Sequence, residues 1–414
     1  MNRTILHSDM NCCYASIEHL YHPELNGKPL AVGGDPEARH GIVLTADYIA
    51  KKHGVKTGMA LWQAKQVCPE LNFISPRMDL YLRFSRMAHE IYGEYTDLQE
   101  PYGVDESWLD VTASSTLKGD GYKIAEEISN RMKSELGITV SIGVSFNKIF
   151  AKLGSDYKKP DAITTMYKNE FHTKAWALPV SNLLYVGRST NQKLARFGIR
   201  TIGDLARTEV TLLELQLGKM GVILWGFANG YDDSPVKVEN THAPIKSIGN
   251  STTTPRDLEN EEDVKIVLFI LAESVAARLR ENGFKCRVIE ISVRDNELMS
   301  FTRQHKIDHA TNITGEIAVE AYRIFKENYD WRKPIRSVGV RGADLVNDNY
   351  WEQIDLFSSV EQRERQMKMD EAVDVIRRRF GFYSVQRGLM YQDTILSAVN
   401  AKEEHTTHPV GYFG

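Results

Sequence analysis

Residues 103–110 read GVDESWLD, and within them Asp105 and Glu106 stand side by side among apolar neighbours. Adjacent carboxylates repel, and in a strand they project to opposite faces. Burying such a pair is costly unless cations or donors offset the charge, so the meaning of the stretch depends on what surrounds it. The segment EPYGVDESWLDVT alternates like a hairpin strand pair. Upstream, Met78 to Tyr95 has helical periodicity; downstream, Ile124, Ile128 and Met132 recur every fourth residue and lead into ITVSIGVS, an alternating strand that ends near Asn147. At the start of the chain RTILHSD reads as a short buried strand ending on Asp9, followed by a helix over MNCCYASIEHLY with Tyr14, Ile17 and Leu20 on related faces. Two apolar runs, PLAVGG and GIVLTADY, bracket the turn-forming GDPEARHG, which makes a small β-rich subdomain with a helix starting near Ala46. The order strand, helix, hairpin, helix, strand predicts an α+β sheet with helices on one face.

After Pro160 the texture changes to short helices separated by glycines, LLYVGRSTNQKLARFGIRTIGDLA and then LQLGKMGVILWGFANG. Helix starts at such corners can hold a phosphate backbone through main-chain N–H groups. A polar stretch with two prolines, DDSPVKVENTHAPIKS, reads as a linker. Beyond it come a β-type run (SIGNSTTT), a long helix (DVKIVLFILAESVAARLRENG), a strand (CRVIEISVRD), a second helix near residues 312–327 and a final strand (IRSVGVRGADLV), a further α+β domain.

A chain of 414 residues is too long for one ordinary core and predicts about two to four domains. Apolar content of 42% and charged content of 26% are those of a globular protein. No apolar run approaches the roughly 20 residues needed to cross a bilayer, and MNRTILHSDMN lacks the apolar stretch of a secretory leader, so a cytoplasmic location is expected. Cys12, Cys13, Cys68 and Cys286 have neither metal-ligand nor disulfide spacing and read as free thiols. A net charge of −4 argues against a nonspecific nucleic-acid coat but leaves room for local basic faces.

If the first strand pairs beside the hairpin, Asp9, Asp105 and Glu106 come together. Hard oxygen ligands gathered in this way suit Mg²⁺, which takes carboxylates plus substrate phosphates and keeps several waters. The same region supplies Lys148, Lys152, Lys158 and Lys159 from FNKIFAKLGSDYKKP, and Tyr48, Lys51 and Lys52 from ADYIAKKHG. Lysines facing a carboxylate–metal cluster are the counter-charge a triphosphate requires. On its own each acid can equally be a solvated turn residue, and each lysine part of a solvated face.

The runs DMNCCYAS, VLTADYIAKKHGVKTGM, YGVDESWLDVT and SIGVSFNKIFAKLGSDYKKP resemble the motif series of Y-family DNA polymerases, most closely the bacterial DNA polymerase IV or DinB type. The resemblance runs in register from residue 1 to about 345. It implies a multidomain α+β right hand with a palm (1–10 and 76–168), fingers (11–75), a helical thumb (169–234), a linker (235–246), a little finger (247–346) and a tail (347–414). It implies two Mg²⁺ ions per site, held by Asp9, Asp105, Glu106 and the main-chain carbonyl of Met10. Tyr14 matches the aromatic steric gate beneath the sugar, where a ribose 2′-hydroxyl would clash. Thr45, Tyr48, Lys51 and Lys159 match groups that hold the incoming triphosphate, with the N–H groups of Cys12 and Cys13. It further implies primer–template DNA and dNTPs as substrates, error-prone translesion synthesis without proofreading, a role in DNA repair and SOS-type mutagenesis, and a monomer with no membrane contact.

Three positions depart from the family pattern. Asn11 stands where many relatives have a second aspartate, and Lys51 where arginine is usual, giving charge without a bidentate fork. The first helix corner, Val186 to Arg188, lacks the expected Gly-rich turn, whereas the second keeps Gly218 and Gly221. Asp110, the outer acid of the opening stretch, falls outside the metal set and reads as structural.

Residues 353–357 read QIDLF and look like the peptide by which such enzymes bind a sliding clamp, with Gln353, Ile354, Asp355, Leu356 and Phe357 forming the contact. The alternative is that its apolar residues pack against the body. The following DEAVDVIRRRFGFYSVQRG reads as an amphipathic surface helix with Val373, Ile376 and Phe380 on one side, and it resembles tails of Gram-positive relatives. Two other classes use parts of this pattern. A palm-like nucleotide cyclase has paired acids but no use for helix–Gly–helix corners or a clamp peptide. A catalytically dead clamp-binding protein has no reason to keep all three acids.

Overall fold

A computed structural model describes residues 3–34, 41–238, 244–350 and 360–402. These divide into two compact units, residues 3–34 and 42–238 in one, residues 244–350 and 360–402 in the other.

The first unit opens with β1 (Ile5–Met10), α1 (Cys13–Tyr21), β2 (Leu30–Gly33), β3 (Val43–Ala46), α2 (Tyr48–Lys52), α3 (Leu61–Val67) and β4 (Asn72–Ile74). It continues with α4 (Met78–Gly93), β5 (Gln99–Pro101), β6 (Glu106–Asp110), α5 (Ser115–Lys118), α6 (Gly121–Leu136), β7 (Val140–Ser145), α7 (Lys148–Tyr157) and β8 (Ile163–Met166). A five-stranded sheet runs β5-β6-β1-β7-β8, with β1 central and antiparallel to both neighbours. The register sets Asp9 directly opposite Glu106. All six residues of β1 are buried, as befits a strand covered on both faces.

Helices cover both faces, not one as the element order predicts. Leu6 and Met10 pack with α1, α4 and α6, whereas Ile5 and Trp108 pack with Ala151 of α7. The second layer arises from FNKIFAKLGSDYKKP, whose lysines draw attention away from its helical spacing. Asn147 starts that helix by accepting the Phe150 N–H at 2.9 Å. Gly143 lets it lie directly on β7: a Cβ there would stand 1.9 Å from the Ala151 oxygen and 2.6 Å from the Ser155 nitrogen.

The smaller sheet, β3-β2-β4, packs its apolar face with α2 and α3 around Ala31, Val43, Ala50, Leu61 and Leu71. A helical segment follows, α8 (Phe171–Ala175), α9 (Arg188–Arg196), α10 (Ile202–Arg207), α11 (Val210–Leu217) and α12 (Lys219–Ala228), with its own core. Gly221 permits close approach of α12 to α11, since a Cβ there would meet the Leu213 oxygen at 2.1 Å. The first corner matches the second in placement despite its departing sequence: Gly187 immediately precedes α9 and Gly218 immediately precedes α12.

The second unit contains β9 (Ser247–Leu258), α13 (Glu261–Glu281), β10 (Phe284–Asp295), β11 (Ser300–Thr311), α14 (Thr314–Asn328), β12 (Ile335–Asn347) and α15 (Val360–Phe380). Its sheet runs β11-β10-β12-β9 with α13 and α14 in the core. Strand β11 escapes a sequence reading because most of its residues are polar and exposed, leaving no apolar alternation. Residues 360–402 are not an appended surface helix but part of this unit. Met390, Leu396 and Ala401 are buried in the core of α13 and α14, and Ser274 Oγ donates to the Ala401 carbonyl at 3.3 Å. The apolar run IVLFILAESVAA of α13 is buried around most of its circumference, which a helix covered on one face only does not require. Gln353, Ile354, Asp355, Leu356 and Phe357 lie outside the described residues. Among the described residues no helix is long and apolar enough to cross a membrane, and all four cysteines are free thiols.

Candidate active site

The site is built where β1 and β6 run side by side. The Met10 N–H donates to the Asp105 carbonyl at 2.9 Å, which locks the start of β6 to the end of β1. Asp9 and Glu106 thus meet across the sheet, and Asp105 immediately precedes Glu106 on the hairpin. From α7, Lys152 Nζ reaches Glu106 Oε1 at 3.0 Å and Asp9 Oδ2 at 3.4 Å. Lys159 Nζ donates to Asp9 Oδ2 at 2.6 Å and pairs with Asp156 at 2.9 Å.

These lysines do not neutralise the cluster. Burial, reinforced by the neighbouring Glu106, pushes the Asp9 carboxyl up to about 6 even with Lys159 and Lys152 beside it. Burial followed by repulsion from Glu106 and Asp9 pushes Asp105 up to about 7. Burial opposes ionisation of Glu106 as well, but His7 and Lys152 hold its carboxyl down to about 2. His7 is wholly buried, its Nδ1 2.8 Å from Ser155 Oγ and its ring edge-on to Trp108. Its Nε2 lies 3.4 Å from Glu106 Oε2, and neither atom has a hydrogen-bond partner. Among the described residues no three acid, histidine or cysteine side chains stand in ready metal-binding geometry; the two lysines stand among the acids instead.

The turn from β1 into α1 is made at Cys12, in the left-handed region at φ 48°. Beside it the 11–14 stretch meets β3 and α2. Tyr48 Oη donates to Asn11 Oδ1 at 3.2 Å, and Ser141 Oγ donates to the same oxygen at 2.9 Å. Asn11 is therefore a buried tie between strand and helix. Lys51 Nζ lies 3.1 Å from Cys12 Sγ and 4.9 Å from the centre of the Tyr48 ring. Thr45 sits on β3 opposite Val32, and Cys13 is buried in the core beside Met10. Asp47 fixes α2 by accepting the Ala50 N–H at 2.7 Å. Tyr14 stacks flat on Tyr81, with centroids 4.3 Å apart and planes 9° from parallel. The structure thus brings together Asp9, Asp105, Glu106 and Lys159 in one cluster, and Cys12, Tyr48 and Lys51 in a second.

Asp110 takes no part: its Oδ1 accepts the Thr112 N–H at 3.0 Å. Lys148 also turns away, pairing with Glu100 at 2.8 Å. The residues that sequence reasoning left unassigned are His7, Glu18, Arg77 and Tyr81, together with Lys152, which it saw only as one of a run. Lys152 stands four residues after Lys148 in α7, a spacing that helical periodicity marks. No such signal marks His7, because a histidine inside an apolar strand reads as core.

Residues 8–156 match the impB/mucB/samB family, residues 245–356 its C-terminal domain, and residues 182–232 the thumb domain described for DNA polymerase-iota. The chain is 53% identical over 399 residues to the DNA polymerase IV of Acetivibrio thermocellus, covering 96% of this chain and all of that one. It is 37% identical to the DNA polymerase IV of Pelotomaculum thermopropionicum, covering 94% and 96%. It is likewise 37% identical to DNA polymerase IV 1 of Bacillus subtilis, covering 94% and 93%. Among solved structures a chimera of Y-family DNA polymerases superposes with a TM-score of 0.73 at 24% identity, over 83% of this chain and 99% of that one, which shows the shared fold. Sequence and fold agree that the chain belongs to the impB/mucB/samB family of Y-family DNA polymerases, of the DNA polymerase IV type, and is a translesion DNA-directed DNA polymerase.

Proposed function

We propose that the β1–β6 cluster is the site of template-directed deoxynucleotidyl transfer to a primer 3′-hydroxyl, and that Asp9, Asp105, Glu106 and the Met10 carbonyl hold two Mg²⁺ ions there. The observation that carries this reading is the pairing of Asp9 with Glu106 across the sheet, with Asp105 adjoining. The donor set fits the metal: all are hard oxygens, two of the acids are pushed up by burial and mutual repulsion, and Glu106 Oε2 is buried without a hydrogen-bond partner. Divalent metal dependence is general in the family, and the bound ions would activate the attacking hydroxyl and offset the charge of the triphosphate and the leaving pyrophosphate.

The chain's own residues supply the rest. Lys159 and Lys152 offset the acids until a triphosphate arrives, and Lys159 is then free to exchange Asp9 for a phosphate oxygen while Asp156 keeps it in place. Lys51, Tyr48 and Thr45, with the N–H groups of Cys12 and Cys13, hold the triphosphate from the side of β3 and α2. Tyr14 excludes a ribose 2′-hydroxyl. Positioning and charge stabilisation then account for catalysis. Residues 1–10 and 76–168 act as palm, 11–75 as fingers, and 169–234 as thumb, whose α9 and α12 N-termini grip the DNA backbone. Residues 247–346 act as little finger, joined through 235–246, and QIDLF within 347–414 engages the sliding clamp of a monomeric enzyme.

Primer extension on undamaged and lesion-bearing templates with Mg²⁺ tests this reading. Asp9→Ala and Glu106→Ala should abolish extension, and retention by either removes that acid from the metal set. Deleting Gln353 to Phe357 should spare distributive synthesis while removing stimulation by the clamp; a stimulated deletion shows that the peptide serves another purpose.

A further inference from the structure

Helix α1 carries Tyr14 and, one turn later, Glu18; Arg77 caps the start of helix α4, which carries Tyr81 in its first turn. Residues four apart share a helix face, so each helix offers one ring and one charge to the other. The rings stack, and the charges pair. Arg77 Nε donates to Glu18 Oε1 at 3.1 Å, its Nη2 donates to Glu18 Oε2, and Tyr81 Oη donates to Glu18 Oε1. Glu18 has no exposed surface, and Tyr81 has none either. Arg77 is itself held over the Tyr21 ring at 5.0 Å.

A buried carboxylate is tolerated only when its oxygens are filled, and here the donors that fill them fix a particular ring. With its hydroxyl tied to Glu18, Tyr81 cannot slide or tilt without breaking a charge-assisted hydrogen bond. Its ring is the flat surface against which Tyr14 lies. An aromatic ring exposed on one side and unsupported on the other can swing away from an incoming group. One clamped against a fixed neighbour cannot, and the clash it imposes is correspondingly hard.

We infer that Glu18 is a positioning residue for sugar selection, acting through Arg77 and Tyr81 to hold Tyr14 rigid beneath the incoming nucleotide. This rests on the reading of Tyr14 as the sugar gate. Glu18 touches no substrate in this scheme, and its carboxylate acts on discrimination and not on the chemical step.

The test is single-nucleotide insertion kinetics with a dNTP and the matching rNTP on one primer–template, for the parent, Glu18→Gln, Tyr81→Phe and Tyr14→Ala. Tyr81→Phe removes one oxygen and keeps the stacked ring, so it decides the matter should Glu18→Gln not fold. Both variants should lower the ratio of dNTP to rNTP kcat/KM by about tenfold, the change residing in the rNTP KM, with dNTP kcat almost unaltered. A merely structural role would instead lower both nucleotides together. Tyr14→Ala should lose more discrimination than either. If Tyr14→Ala loses discrimination while Tyr81→Phe and any folded Glu18→Gln keep the parent's ratio, the inference about Glu18 is overturned and the gate stands. If Tyr14→Ala keeps the parent's ratio, the gate assignment itself falls, and the inference with it.

Discussion

Among the described residues, the carboxylate cluster where β1 meets β6 and the one beneath α15 are compensated in opposite ways. In the second, Asp370 accepts the Thr314 N–H at 2.7 Å and bonds from Arg280 and Arg387. Glu273 accepts one bond from Arg377 at 2.9 Å and one from Arg387 at 2.8 Å. Arg280 turns its Nε to Asp374 at 2.7 Å, and Arg377 completes its fork on the Val385 carbonyl. Every acid there has donors of fixed direction. In the first cluster the cations are lysines, one acid oxygen has no hydrogen-bond partner, and two carboxyls are driven up toward neutrality. Arginine forks lock a geometry, whereas lysines supply a charge that can leave. The comparison teaches that burial of acids alone marks nothing; incomplete compensation is what fits the first cluster to the cation site proposed above, and complete compensation fits the second to holding chain segments together.

The sharpest way to break this comparison is Asp105→Asn. Primer extension should fall by about 10³-fold, yet the metal-free fold should gain stability. The acid's folded-state value of about 7 lies above that of the unfolded chain, so the protonated form stabilises the fold and that contribution is lost as pH rises through about 7. Thermal unfolding of the parent without metal should therefore show stability that declines from about pH 4 to about pH 7 and levels off above it, while the variant is flatter over that window and ahead by roughly 2 kcal/mol at its upper end. Mg²⁺ should raise the melting temperature of the parent far more than that of the variant. A variant less stable than the parent at every pH would mean that Asp105 is compensated after all.

Glu273→Gln should do the reverse, costing roughly 3 kcal/mol in denaturant unfolding by leaving Arg377 and Arg387 without a shared charge, with no change in the response to Mg²⁺. Gly143→Ala should cost about 2 kcal/mol and raise the KM for dNTPs, because the added methyl pushes α7, and with it Lys152 and Lys159, off β7. Unchanged dNTP affinity in that variant would separate the lysines from the triphosphate. Smallest should be Asp110→Asn, about 1 kcal/mol from the weakened bond to Thr112, with primer extension at the parent's rate.

Much of this was legible in the sequence because its signals are local. The alternation of ITVSIGVS, the four-residue spacing of Ile124, Ile128 and Met132, and the run RTILHSD ending on an acid each fix an element by themselves, and two such strands flanking a paired acid define the site. What escaped reading depends on partners distant in the chain. Nothing near Glu18 announces that Arg77 will fill its oxygens, and nothing in β11 shows apolar periodicity. The segment after residue 360 reads as a surface helix because its own apolar face is thin; its attachment comes from charges that answer residues in α13 about a hundred positions earlier. That α13 is apolar on nearly every side was the one trace of it.

The attachment of residues 360–402 changes what the intervening stretch is. QIDLF lies between β12, which ends at Asn347, and α15, which starts at Val360, and both belong to one folded unit. If QIDLF engages a sliding clamp as proposed, the pull would reach this unit through two anchorages, β12 and α15. The same layout makes the chain divisible: a single proteolytic nick between residues 350 and 360 would leave the two pieces joined by half-buried arginines and a common core, and they should travel as one body until denatured.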